Sequence, residues 1–137
     1  MPLSGRLEEL DQEECLALLA TVPVGRVGIS SQALPAILPV NFVLHDGSIL
    51  FRTVPGTKLH AAVAGAVVAF EADHVGTAPE PSWSVLVRGQ AEPVTDPAER
   101  DRVDTLVPAT WAFERDARHV VRIPITLISG RRVRRAT

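Results

Sequence analysis

Hydrophobic positions change period several times along the chain, and those changes outline its elements. Near the start, Cys15, Leu16, Leu18 and Leu19 form an apolar stripe at helical spacing, and Asp11 followed by Glu14 has the form of a capping box. The spacing predicts a first helix over residues 11–21, ended by Pro23. From there the period becomes two. Val24 to Ser30, Ala36 to Leu44 and Ser48 to Thr53 read as three strands of a meander, the last two joined by the hairpin turn His45-Asp46-Gly47. Pro55-Gly56 breaks that pattern, Thr57 is placed to cap a short Ala-rich helix to about Ala64, and Gly65 closes it. Val67 to Asp73 alternates again. After a loop rich in proline and glycine, Trp83 to Val94 is long enough for a curved strand with Gly89 as its bend or bulge. Asp96-Pro97 caps a third helix to about Leu106, a loop from Val107 to Ala117 carries Trp111 and Phe113, and a last strand runs from Arg118 to Ile128.

These elements predict a mainly β chain with short helices. Consecutive strands pair antiparallel, and six of them with bends close more naturally into a small barrel than into a flat sheet. At 137 residues the expectation is one domain, with an Arg-rich C-terminal tail from about residue 131. Hydrophobic residues make up 46% and charged residues 22%, which excludes a largely disordered or fibrous chain. The single cysteine, Cys15, rules out an internal disulfide, and its place on the first helix's apolar face suits packing better than nucleophilic attack. The longest stretch without a charged residue or histidine, Val27 to Leu44, is broken by prolines and polar residues, so no membrane span is expected. The first residues hold no signal-like apolar core, and the expected location is the cytoplasm.

The net charge of −2 gives the whole molecule no field that would attract nucleic acid. Its distribution is uneven. Glu8, Glu9, Asp11, Glu13 and Glu14 crowd the start, while Arg131, Arg132, Arg134 and Arg135 crowd the end. That end could bind a polyanion, pair with an acidic helix of a partner subunit, or stay solvated. The only lysine in the chain is Lys58, at the start of the second helix.

Lysine there has a chemical use. Backbone N–H groups at a helix start, the Thr57 hydroxyl, the Lys58 ammonium and the Arg52 guanidinium could converge on one phosphate. A plain turn with a cap and two solvated cations explains the same residues. Asn41 lies in a strand expected to be buried on one face, where it could hydrogen-bond a heterocycle or be an ordinary satisfied polar group. Trp83 could cover a cofactor, seal a subunit interface or fill the core. Glu71 and Asp73 fall on one side of a strand, as an acid–base pair or as an outward polar face. His45, His60, His74 and His119 show no metal-ligand spacing, so no metal site is expected.

Five segments taken in order carry a resemblance: Gly25-Arg26-Val27-Gly28, Leu38-Pro39-Val40-Asn41-Phe42, Phe51-Arg52-Thr53 with Gly56-Thr57-Lys58, Phe70-Glu71-Ala72-Asp73, and Trp83-Ser84-Val85-Leu86-Val87-Arg88-Gly89. Over roughly residues 10 to 130 the chain resembles the pyridoxamine 5′-phosphate oxidase-like family of flavin-binding split barrels. The resemblance implies a six-stranded antiparallel split β-barrel that forms a homodimer, with a flavin, usually FMN, in a groove at each subunit interface. By position, Arg52, Thr57 and Lys58 match the family's phosphate-binding turn, with Thr53 beside them. Val40 and Asn41 match the strand along the isoalloxazine, and Trp83 with Ser84 match the strand that completes the pocket.

The vitamin B6 oxidases that give the family its name hold their substrate's phosphate through an Arg and a His near the C-terminus. Here no histidine follows His119. The resemblance therefore implies a flavin-dependent oxidoreductase acting on a small molecule other than pyridoxamine phosphate. Relatives that use a deazaflavin or haem keep a second reading open, a non-catalytic cofactor-binding module. A nucleic-acid-binding small barrel is the weakest, since aromatic residues are only 4% and could not supply a stacking face.

Overall fold

A computed structural model describes residues 5–107 and 119–135, the Arg135 side chain excepted. The predicted loop with Trp111 and Phe113 lies outside the described residues. In chain order the elements are β1 (Gly5–Leu10), α1 (Gln12–Leu19), β2 (Val24–Ser31), β3 (Leu34–His45), β4 (Ser48–Thr53), α2 (Lys58–Val63), β5 (Val67–His74), β6 (Ser82–Gln90), β7 (Glu92–Pro93), α3 (Pro97–Asp104), β8 (His119–Pro124) and β9 (Leu127–Arg135). All strand pairings are antiparallel, in the order β1-β9-β6-β5-β2-β3-β4-β8-β7.

The long strand β3 makes the sheet curl. Its first part pairs with β2, from Ser31↔Leu34 to Val24↔Asn41, and its last part pairs with β4, from Phe42↔Phe51 to His45↔Ser48. On the other side, β7 continues the line of β6 and pairs with β8 through Glu92↔Arg122. The two ends of the curl thereby meet, and β2, β3, β4, β8, β6–β7 and β5 surround one core. Its fully buried members include Leu19, Val27, Ile49, Phe51, Phe70, Val85, Val87 and Ile123. Each such side chain is worth roughly 1.5–3 kcal/mol of burial.

β4 is buried on both faces, which explains its almost unbroken apolar run. Ile49, Phe51 and Thr53 point into the barrel, whereas Leu50 packs under α3 with Val94, Val103, Val107 and Val120. The three helices among the described residues begin at the expected caps. Asp11 Oδ1 accepts from Glu14 N (2.8 Å), Thr57 Oγ1 from His60 N (3.2 Å) and Asp96 Oδ2 from Glu99 N (3.0 Å). Asp46 and Gly47 take φ of 53° and 75°, the left-handed pair that a two-residue hairpin requires.

Three expectations change. The curved strand over Trp83–Val94 is interrupted at Ala91, whose N–H donates to Ala66 O (2.7 Å) and whose carbonyl accepts from Gly65 N (3.1 Å). Gly89 is not a bulge, because the β5–β6 register runs unbroken from Val67↔Gln90 to His74↔Trp83. Its missing side chain instead lets β6 approach the end of β8. The third change concerns the termini. The described residues hold nine strands rather than six, because the predicted strand over 83–94 is divided into β6 and β7 and because Gly5–Leu10 and Leu127–Arg135 extend the sheet beyond the barrel. The arginines expected as a tail lie in β9. Arg132 pairs with Glu8 (3.7 Å) and Glu14 (3.1 Å), and Arg134 with Glu8 (3.2 Å), so the acidic start and basic end of one chain face each other.

Candidate functional site

The turn from β4 into α2 borders an open groove of about 250 Å³ lined by Leu38, Arg52, Thr53, Val54, Thr57, Lys58 and Leu59. Four of the eight candidate residues therefore meet at one place. Gly56, at φ 87°, makes the turn that presents Thr57 and Lys58 to it. The walls are mainly apolar, from Leu38 of β3, Val54 and Leu59. Lys58 stands exposed at the helix start.

Within the groove the polar groups are already assigned to tasks. The Thr57 hydroxyl donates to Val54 O (2.6 Å) while accepting from His60 N, so its proton holds the turn rather than facing a ligand. The first-turn N–H groups of Lys58 and Leu59 are the donors that this cap does not use. Because α2 has only six residues, its dipole is weak, and Lys58 carries the positive charge of the site.

Arg52 forms one wall, but its guanidinium is directed at α3. Nη1 donates to Asp104 Oδ1 (2.7 Å), Nη2 to Asp104 O (2.6 Å) and Val107 O (3.0 Å), and Nε to Val107 O (3.2 Å). The side chain is 11% exposed. It thus satisfies the open carbonyls at the end of α3, the task a forked planar cation does best. Arg52→Ala is expected to cost about 2–3 kcal/mol in urea denaturation, since it strips donors from half-buried carbonyls, and Arg52→Lys should recover less than half of that. A loss under about 0.5 kcal/mol would show that α3 does not depend on it.

His60, one turn into α2, lies beside the groove. Its Nδ1 is 2.8 Å from Thr53 Oγ1, and its ring meets that of His119 edge-on with centroids 5.2 Å apart. Thr53 is otherwise buried in the core.

The other four candidates do not line this groove. Val40 is packed in the core, and Asn41, the next residue, points to the opposite side of β3 opposite Val24. Trp83 fills the core beside β9, and Ser84 is exposed between Asp73 and Arg131. Cys15 is fully buried against Gly130, and burial together with Asp11 and Glu14 pushes its thiol pKa up, away from nucleophilic use.

On the outside of the barrel, Glu71 and Asp73 share one face of β5 with Arg26 of β2. Arg26 Nη1 is 3.6 Å from both Glu71 Oε1 and Asp73 Oδ2. Desolvation, then the neighbouring Asp73, pushes Glu71 up to about 7 against the pull of Arg26. The native state thus favours the protonated carboxyl. That preference stabilises the fold below the ordinary value near 4.5 and is lost as pH rises to about 7. With 33% of the side chain exposed, Glu71→Gln is expected to stabilise the protein at pH 8 by about 1 kcal/mol and to change little at pH 4. Equal effects at both pH values in thermal unfolding would contradict the shifted titration.

A curled, antiparallel β chain with a groove at the turn into a short helix defines a split barrel. The model of the family described as pyridoxamine 5′-phosphate oxidase matches residues 11–132, and the chain belongs to this pyridoxamine 5′-phosphate oxidase-like family. An uncharacterized protein of Mycobacterium tuberculosis is 39% identical over 138 residues, covering 96% of this chain and 90% of its own. The structure of an FAD binding protein from Mycobacterium smegmatis superposes with a TM-score of 0.73 at 36% identity, over 93% of this chain and 98% of that one. An FAD-binding protein from Mesorhizobium loti, at 22% identity and a TM-score of 0.72 over 95% and 98%, shares the fold. Among the described residues, no helix is long and apolar enough to cross a membrane.

Proposed function

We propose that this protein is a flavin-binding oxidoreductase that works as a homodimer, with FMN as its cofactor. The observation that carries the reading is the open apolar groove bordered by Lys58, the chain's only lysine, which stands exposed at the start of α2. Its donor set fits a ribityl phosphate, which FMN and the FMN half of FAD share, and the 36% identity to an FAD binding protein supports the choice of a flavin. Lys58 would hold the phosphate with the N–H groups of Lys58 and Leu59, while Leu38, Val54 and Leu59 would exclude water from the apolar part of the cofactor. Asn41, outside this groove, stays in the proposal as a group that reaches a ring edge only in the assembled dimer, as do Trp83 and Ser84 at the far side of the sheet.

A bound flavin supplies hydride and electron transfer itself, so the protein's work is binding, orientation and shielding. The substrate is proposed to be a small molecule other than pyridoxamine phosphate. Arg132 and Arg134, near the C-terminus, are engaged by Glu8 and Glu14 instead of standing open to a substrate phosphate. Stopped-flow mixing of the flavin-loaded protein with NAD(P)H or a reduced deazaflavin tests the enzymatic part. Bleaching of the flavin, then reoxidation by an added acceptor, is the expected result; a flavin that no donor reduces would leave a binding module instead.

A further inference from the structure

The hairpin end of β4 and the first turns of α3 enclose a second cavity, of about 130 Å³. Ser48 and Leu50 line it from β4, Glu99, Arg102 and Val103 from α3, and Asp46 from the hairpin turn. It is not part of the flavin groove. Ser48 opens β4 and Thr53 closes it, so the two sites lie roughly 17 Å apart along one strand. Between them α3 covers the strand, with Val103 packed on Leu50 and Asp104 holding Arg52 at the helix end.

Two of the charged groups around this cavity neutralise each other. Arg122 pairs with Glu99, and its Nε lies 3.8 Å from Glu92 Oε2. Arg102 and Asp46 behave differently. Among the described residues they form no ion pair, with each other or with any third group, although both line so small a space. Ser48 adds an independent sign of a ligand. It is only 6% exposed, yet its hydroxyl has no hydrogen-bond partner among the described residues. Leaving a buried hydroxyl unsatisfied costs about 1–3 kcal/mol, so such a group is ordinarily matched by something that enters the cavity.

We propose that this cavity binds a small α-amino acid as its zwitterion. The Arg102 fork takes the carboxylate, Asp46 takes the ammonium, and the Ser48 hydroxyl donates to the carboxylate from below. Leu50 and Val103, both buried, are the apolar wall on which a short side chain rests. A simple anion would meet Asp46 and a simple cation would meet Arg102, so a molecule that carries both charges is the better complement. Size narrows the class further. Drug-sized ligands fill about 300 Å³ or more, and a space less than half as large suits glycine, alanine or serine. The bound molecule ties the β3–β4 hairpin to α3 and leaves the groove at Lys58 open, so the inference does not depend on the flavin reading.

Titration of the isotopically labelled full chain with L-serine, followed through its backbone amide resonances, tests this. Saturable shifts are expected at Gly47, Ser48 and Val103, with a dissociation constant of about 1 mM or tighter, while the amides of Thr57 and Lys58 stay in place. Acetate and methylamine, each with one of the two charges, should bind at least about tenfold more weakly. Asp46→Asn keeps a side chain that tolerates the left-handed turn at φ 53°. That variant and Arg102→Gln should each weaken serine binding at least about tenfold, and Ser48→Ala about threefold. No saturable shift with L-serine at about 50 mM overturns the site. Acetate that binds as tightly as serine, with no effect of Asp46→Asn, overturns the zwitterion in favour of a plain anion. Shifts confined to Thr57, Lys58 and their neighbours overturn the choice of cavity.

Discussion

Gly89→Ala is expected to cost about 3 kcal/mol or more, a large fraction of the stability of a domain this size. A Cβ at this position would lie 2.3 Å from the Pro124 carbonyl oxygen and 3.2 Å from Ile123 Cγ2. The first of these is backbone at the end of β8, which β4 and β7 hold in register, so it cannot swing aside as a long side chain would. Relief would require β6 and β8 to part, and that is where the two ends of the curled sheet meet around Val87 and Ile123. Gly56→Ala is the control. Its φ of 87° strains an alanine, but nothing lies within 4 Å of the added methyl, so the cost should stay near 1 kcal/mol. Urea denaturation measures both. A Gly89→Ala loss no larger than that of Gly56→Ala would mean that the seam between β6 and β8 is not closely packed.

Lys58→Ala is expected to weaken flavin affinity by about 10- to 100-fold, the loss of one charge-assisted contact to a phosphate dianion. Because Lys58 is exposed and makes no packing contact in the core, stability should hardly change. Lys58→Arg should recover part of the affinity, since charge is kept while the compact ammonium is replaced by a wider fork. Affinity should also fall with added salt, and this slope should flatten in Lys58→Ala. Arg52→Ala offers the contrast: a large loss of stability at α3, with a smaller direct effect on binding. The reverse ranking of the two variants would return the phosphate to Arg52.

Local signals in the chain were readable where a single residue has a single local task. Asp11, Thr57 and Asp96 as caps, and Asp46-Gly47 as a hairpin turn, depend only on neighbours three residues away. The pairings β2–β3, β3–β4 and β5–β6 followed from strands that alternate and lie close in sequence, whereas β2–β5 and β4–β8 join strands far apart in the chain. β1 and β9 escaped because Gly5–Leu10 and Leu127–Arg135 lack a continuous apolar face. They are joined by Glu8 pairing with Arg132 and Arg134, a partnership between chain ends that periodicity cannot express.

The same distance in sequence explains the site. Placing Arg52 and Lys58 on one turn was possible from spacing, yet the Arg52 guanidinium belongs to carbonyls 52 and 55 positions further on. Glu71 and Asp73 could be assigned to one strand face from their period of two. What raises the Glu71 pKa is burial against its neighbours, and the number of charges facing it is set by Arg26 on another strand. Likewise Gly89 announced an irregular position, while its actual role, a close approach to Pro124, needed the curled sheet.

The central claim is that this groove holds a flavin, and equilibrium titration of the purified apoprotein with FMN and with FAD tests it most directly. Flavin absorbance and fluorescence should shift saturably at one flavin per subunit, with a dissociation constant of about 1 μM or tighter for the preferred form, weakened at least about tenfold in Lys58→Ala. Absence of saturable binding of either flavin by the folded wild type at about 100 μM would contradict the claim.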